Sequence, residues 1–116
     1  MQWFRYFILC LGAYTIINGL LHDFFVLRQH KGDYDRDLLR LLMDGHILLT
    51  CGSVYIAAYF LMRPHENAGF YLCLISSLSL IIYCGMIFPF LKSFVTIILN
   101  VIVLLIALIR LIRVFV

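Results

Sequence analysis

Five ionisable residues of this chain sit where ionisable residues are costly. His22 and Asp23 lie near the end of one long apolar stretch, and Arg40, Asp44 and His46 lie inside the next, Leu38–Met62. Charged and titratable groups within such segments face a bundle interior, a cavity or an interface. His22, Asp23, Asp44 and His46 supply two imidazoles and two carboxylates from adjacent helices, a donor set that suits a divalent transition metal. His22 and His46 also suit axial ligation of a haem between helices. On an ideal helix, however, Asp44 and His46 project about 160° apart. Sharing one ion would need an irregularity at Gly45. A carboxylate and an imidazole inside a span are also the pattern of proton relays, which makes Asp44 and His46 the titrating pair of a proton-linked transport site. His30 and His65 fall in polar segments and look incidental.

Depth along each helix follows from 1.5 Å per residue. On that scale Asn18, His22 and Asp23 share a level with Arg40, Asp44, His46 and Thr50 of the second stretch. Tyr83 and Asn100 of the third and fourth stretches reach a similar level. The spacing predicts a polar pocket opening toward the first loop, serving either as a proton-linked site or as interhelical hydrogen bonds, since polar groups in lipid need partners. Arg40 and Asp44, four residues apart, can pair with each other. No G-x-S-x-G, H-E-x-x-H, H-x-x-x-H or E-x-x-H pattern is present, which points away from an enzyme with familiar machinery. Cys10, Cys51, Cys73 and Cys84 all lie in apolar segments without a C-x-x-C, so they read as small packing residues.

The elements that must hold these residues are transmembrane. The chain of 116 residues is 65% hydrophobic and 13% charged, where soluble domains are nearer half and a quarter. A hydrocarbon core of about 30 Å needs about 20 helical residues. Four stretches meet that length, at about 4–27, 38–62, 68–88 and 94–109. The first follows Arg5 like a signal peptide, but its apolar run continues to Leu27 with no A-x-A-like site, so it reads as an uncleaved span. Arg28–Asp37 is a charged loop in which Asp35 or Asp37 can cap the next helix. Pro64 stops the second span, Pro89 the third, and Leu91–Ser93 carry the last turn. Arg110 and Arg113 anchor the fourth span in head groups.

Each span carries a small or polar stripe at helical spacing, the signature of helix–helix contact in lipid. On span 1 it is Gly12, Thr15, Asn18, Gly19, His22 and Asp23, with Cys10, Ala13, Tyr14, Ile17 and Leu21 opposite. Span 2 has two stripes: His46, Thr50, Ser53 and Ala57, and on nearly the other side Arg40, Asp44, Cys51 and Tyr55. Gly69, Cys73, Ser76 and Tyr83 mark span 3; Ser93, Thr96, Asn100 and Ala107 mark span 4. Short loops make neighbours antiparallel. The expected fold is all-α, a single multi-pass domain over residues 1–116 with four transmembrane helices in an up-down-up-down bundle.

Two non-lipid sides on span 2 point to a central position in the bundle, or to a second copy or larger membrane partner packing on one side. Four Lys and Arg on the face of the termini against five on the other give no orientation bias, and the working expectation is termini in the cytoplasm. Scattered basic residues exclude a nucleic-acid binder. A four-span chain of this size resembles the small multidrug resistance family, whose members work as dimers. That family needs a carboxylate deep in span 1, and here none occurs between Met1 and His22. The reading that follows is a small non-enzymatic accessory or structural subunit of a bilayer. Its alternatives are a proton-linked small-solute transporter acting as a homo-oligomer, and a metal or haem binder.

Overall fold

The computed structural model describes residues 2–88 and 94–115, and holds four helices: α1 (Gln2–Gln29), α2 (Arg36–Leu61), α3 (Glu66–Ile87) and α4 (Phe94–Phe115). All four are long and apolar enough to cross a membrane. The bundle is 55 Å along its longest axis, enough for a hydrocarbon core and both head-group regions. The chain is thus a small multi-pass membrane protein with an all-helical bundle. Pro89, the turn at Leu91–Ser93, and Lys92 in the charge count lie outside the described residues.

Local chemistry sets the helix ends. Asp35 caps α2 by accepting a 2.8 Å hydrogen bond from the Leu38 amide, and Asp37 adds a negative charge to the first turn. Gly32 in the preceding loop has φ 121°, a conformation that only glycine adopts freely. At the other end α4 runs past Ile109 to Phe115. Nothing in Leu111–Phe115 breaks a helix, and Arg110 and Arg113 suit the negative end of its dipole.

Glycines set the distance between α1 and α2. A Cβ on Gly12 would lie 2.9 Å from the Gly52 carbonyl oxygen, and one on Gly19 2.8 Å from that of Gly45. The two pairs, seven residues apart on both helices, fix an antiparallel register. Dispersion and close backbone approach hold the pair, since lipid offers little hydrophobic drive between helices. Antiparallel contacts continue around the bundle. Ser76 of α3 donates to the Cys51 carbonyl of α2 at 3.0 Å, and Arg110 of α4 lies over the Phe70 ring of α3. By contrast α1 and α4 make almost no close backbone approach.

The stripes face where they were expected on α1. Gly12, Thr15 and Gly19 are buried, and Cys10, Ala13, Tyr14, Ile17 and Leu21 are exposed. Gly69, Cys73 and Ser76 of α3 and Asn100 and Ala107 of α4 are buried too. On α2 the two stripes part company. Cys51 and Tyr55 enter the core, whereas His46, Thr50, Ser53 and Ala57 are all exposed on the outside of the bundle.

Candidate functional site

Tyr83 of α3 stands between two cavities. One, of about 440 Å³, lies at the α1–α4 seam and is lined by Asn18 and His22 of α1, Thr96 of α4 and Tyr83. The other, of about 590 Å³, opens between α2 and α3 and is lined by Asp44, His46, Thr50, Ser79 and Tyr83. Six of the expected residues, Asn18, His22, Asp44, His46, Thr50 and Tyr83, thus line cavities, but in two compartments. Helix rotation, not depth, decides which.

Asp23 belongs to neither cavity. Its carboxylate rests on the backbone of Gly45, so close that a Cβ there would collide with it. Its other neighbour is His22, whose Nδ1 is 3.5 Å away. Gly45 therefore serves close approach and a seat for Asp23; α2 runs through it as uninterrupted helix. Arg40 is exposed and lines neither cavity. Among the described residues it makes no ion pair with Asp44, which turns into the α2–α3 cavity instead.

Asn100 is fully buried away from both cavities. It accepts a short hydrogen bond from the Tyr55 hydroxyl and donates through Nδ2 to the Thr96 carbonyl at 2.7 Å. Tyr55 is itself fully buried, so this bond crosses from α2 to α4 in the driest part of the core. Thr15 donates to the Leu11 carbonyl at 2.7 Å and Ser53 to that of Leu49 at 2.8 Å. These bonds meet the rule that polar groups within a membrane find partners inside the protein. Sequence reasoning placed Tyr55 on a stripe but not with Asn100. A Tyr and an Asn, each on a small-residue stripe, were the available signal.

His22 and His46 line different cavities, so the four-residue donor set does not gather around one point. Among the described residues no group of three or more His, Cys, Asp or Glu side chains is placed to hold a metal ion. The gathered residues that remain are Asp44, His46, Thr50 and Tyr83, at the mouth of a cavity on the outer surface of α2 and α3.

His46 lies ten residues into α2, about 15 Å from its start. That lies well inside the apolar length of the helix, and its side chain is exposed. Neither His46 nor Thr50 has a side-chain hydrogen bond among the described residues, whose bonds include the back-bond of the neighbouring Ser53. Fold and site together define a polytopic helical membrane protein with a polar outward face on α2. No protein-family model, curated protein or solved structure matches the chain.

Proposed function

We propose that the protein is a non-catalytic membrane subunit that packs through the outward face of α2 against a second copy of itself or a larger membrane partner. The observation that carries this is the exposure of His46, Thr50, Ser53 and Ala57 as one stripe along the membrane-spanning length of α2. Lipid satisfies neither an imidazole nor a hydroxyl, and leaving such a group unpaired costs more than the ~0.6–2 kcal/mol that an interhelical bond returns. A facing helix supplies partners, and small side chains at Ser53 and Ala57 let its backbone come close. Ser79 of α3, also exposed, borders the same face. Released in mild detergent, the protein is expected to weigh more than its 13.5 kDa monomer or to carry a partner. A monomer alone under every mild condition contradicts the proposal.

A second reading is a proton-linked solute path in a homo-oligomer, with Asp44 and His46 titrating. What favours it is their shared cavity with Thr50 and Tyr83. The cavity opens onto the same face, so a second copy there would roof it. Both readings need the interface; only the second needs Asp44.

A further inference from the structure

The α1–α4 seam is open for most of the bundle, on a different side from the α2 face. Three cavities follow one another along it. Trp3, Arg110 and Arg113 border one of about 310 Å³ at the end that carries the chain termini. Phe7, Leu11 and Leu99 line the next, of about 200 Å³. The third is the cavity of His22 and Tyr83 described above. From Trp3 to His22 the seam runs about 28 Å, one hydrocarbon core. It has a floor: Phe4, Ile8 and Leu11 of α1 share a buried cluster with Val103, Ala107 and Leu111 of α4. A groove with a floor and chain-sized cavities does not admit a helix of ~10 Å diameter.

The charge at the termini end is one-sided. Arg110 reaches Glu66 only at 4.0 Å, and its Nε is buried with no hydrogen-bond partner. Arg113 is exposed and makes no ion pair among the described residues. Among the described residues, two guanidinium groups thus flank the cavity, with the Glu66 carboxylate 4.0 Å from Arg110. Guanidinium groups match phosphate oxygens in geometry as well as charge, and basic pockets between helices bind anionic head groups.

We propose that the α1–α4 groove holds an anionic phospholipid, its phosphate between Arg110 and Arg113 and one acyl chain along Phe7, Leu11 and Leu99. Amphiphile and groove match over the first two cavities: charge and indole at the head-group level, Phe7, Leu11 and Leu99 beyond. The lipid covers an apolar flank that α1 and α4 leave unsealed, and it does so independently of the α2 interface.

Trp3 is the sole tryptophan and borders the head-group end, so it reports occupancy without a label. The full chain is reconstituted in vesicles of equal parts phosphatidylglycerol and phosphatidylcholine, with one or the other brominated. Brominated phosphatidylglycerol is expected to quench Trp3 in preference to brominated phosphatidylcholine, with relative affinity on the order of 30-fold for two arginines. The double variant Arg110→Gln/Arg113→Gln is expected to lose that preference, and Arg63→Gln, a charge on the same face outside the groove, to keep it. Equal quenching of the unaltered protein by both lipids overturns the proposal without any variant. So does a preference that survives the double variant, or one that Arg63→Gln removes equally, which would mean surface potential alone. Loss of the preference on adding inorganic phosphate would mean a bare anion site and would contradict the acyl groove.

Discussion

Gly52→Ala places a methyl group where α2 passes closest to α1. The new Cβ would lie 2.8 Å from the Gly12 carbonyl oxygen, 2.6 Å from Ile16 Cγ1 and 3.1 Å from the Ile16 amide nitrogen. Ordinary contact begins near 3.4 Å, so the Gly12 carbonyl must retreat by about 0.6 Å (3.4 less 2.8). Two of these three atoms are backbone, and a helix moves only as a body. Inserting a methyl into such a contact costs about 1–3 kcal/mol, against which Ala returns up to ~1 kcal/mol of helix propensity. The net expectation is a loss of about 1–2 kcal/mol, or roughly 5- to 30-fold in the unfolding equilibrium. Gly85→Ala is the matched control, because a Cβ there meets nothing within 4 Å among the described residues. It keeps the propensity gain and carries no clash. The assay is denaturation by SDS titrated into mild detergent micelles, followed by far-UV circular dichroism. A Gly52→Ala protein as stable as the unaltered one, or a Gly85→Ala protein that loses more than Gly52→Ala, refutes the close α1–α2 contact.

Tyr55→Phe is expected to cost about 1–2 kcal/mol in the same assay, because it leaves the Asn100 side-chain oxygen Oδ1 dry and without the Tyr55 donor. Asn100→Leu added to it is expected to cost less than the sum of the two single changes, and strict additivity would place the two side chains out of contact. Asp44→Asn is expected to leave subunit association intact and to lower yield at most. If it abolishes a pH-dependent solute flux instead, the transport reading takes precedence.

Much of the bundle was legible from periodicity because lipid imposes so few options. Helices must run about 20 residues, and Gly12, Thr15 and Gly19 could only face a neighbour. The two stripes of α2 were also visible, but not which one enters the core. Size and polarity do not decide, since Tyr55 is larger than any residue of the exposed stripe and its side of the helix also carries Arg40 and Asp44. What decides is partners on other helices, Ser76 for the Cys51 carbonyl and Asn100 for the Tyr55 hydroxyl. The polar residues were placed at one level by counting residues, and counting cannot resolve rotation about the axis. Hence Asn18 and His22 lie in one cavity, Asp44, His46 and Thr50 in another, and Arg40 in neither. Gly45 illustrates the same limit. A glycine between two polar residues suggested an irregular helix, whereas the backbone stays helical and the missing side chain makes room for Asp23. The α1–α4 groove left no trace in sequence, because it arises from how far two helices diverge.

The exposed stripe of α2 is tested most directly by a photo-crosslinking residue at Ala57, with one at Ile17 on the exposed face of α1 as control, in native membranes. Capture of a second copy or of one discrete membrane protein from position 57, with nothing from position 17, is the expected result. No product from position 57, or equal products from both positions, would show that α2 meets only lipid and would contradict its role as a subunit interface.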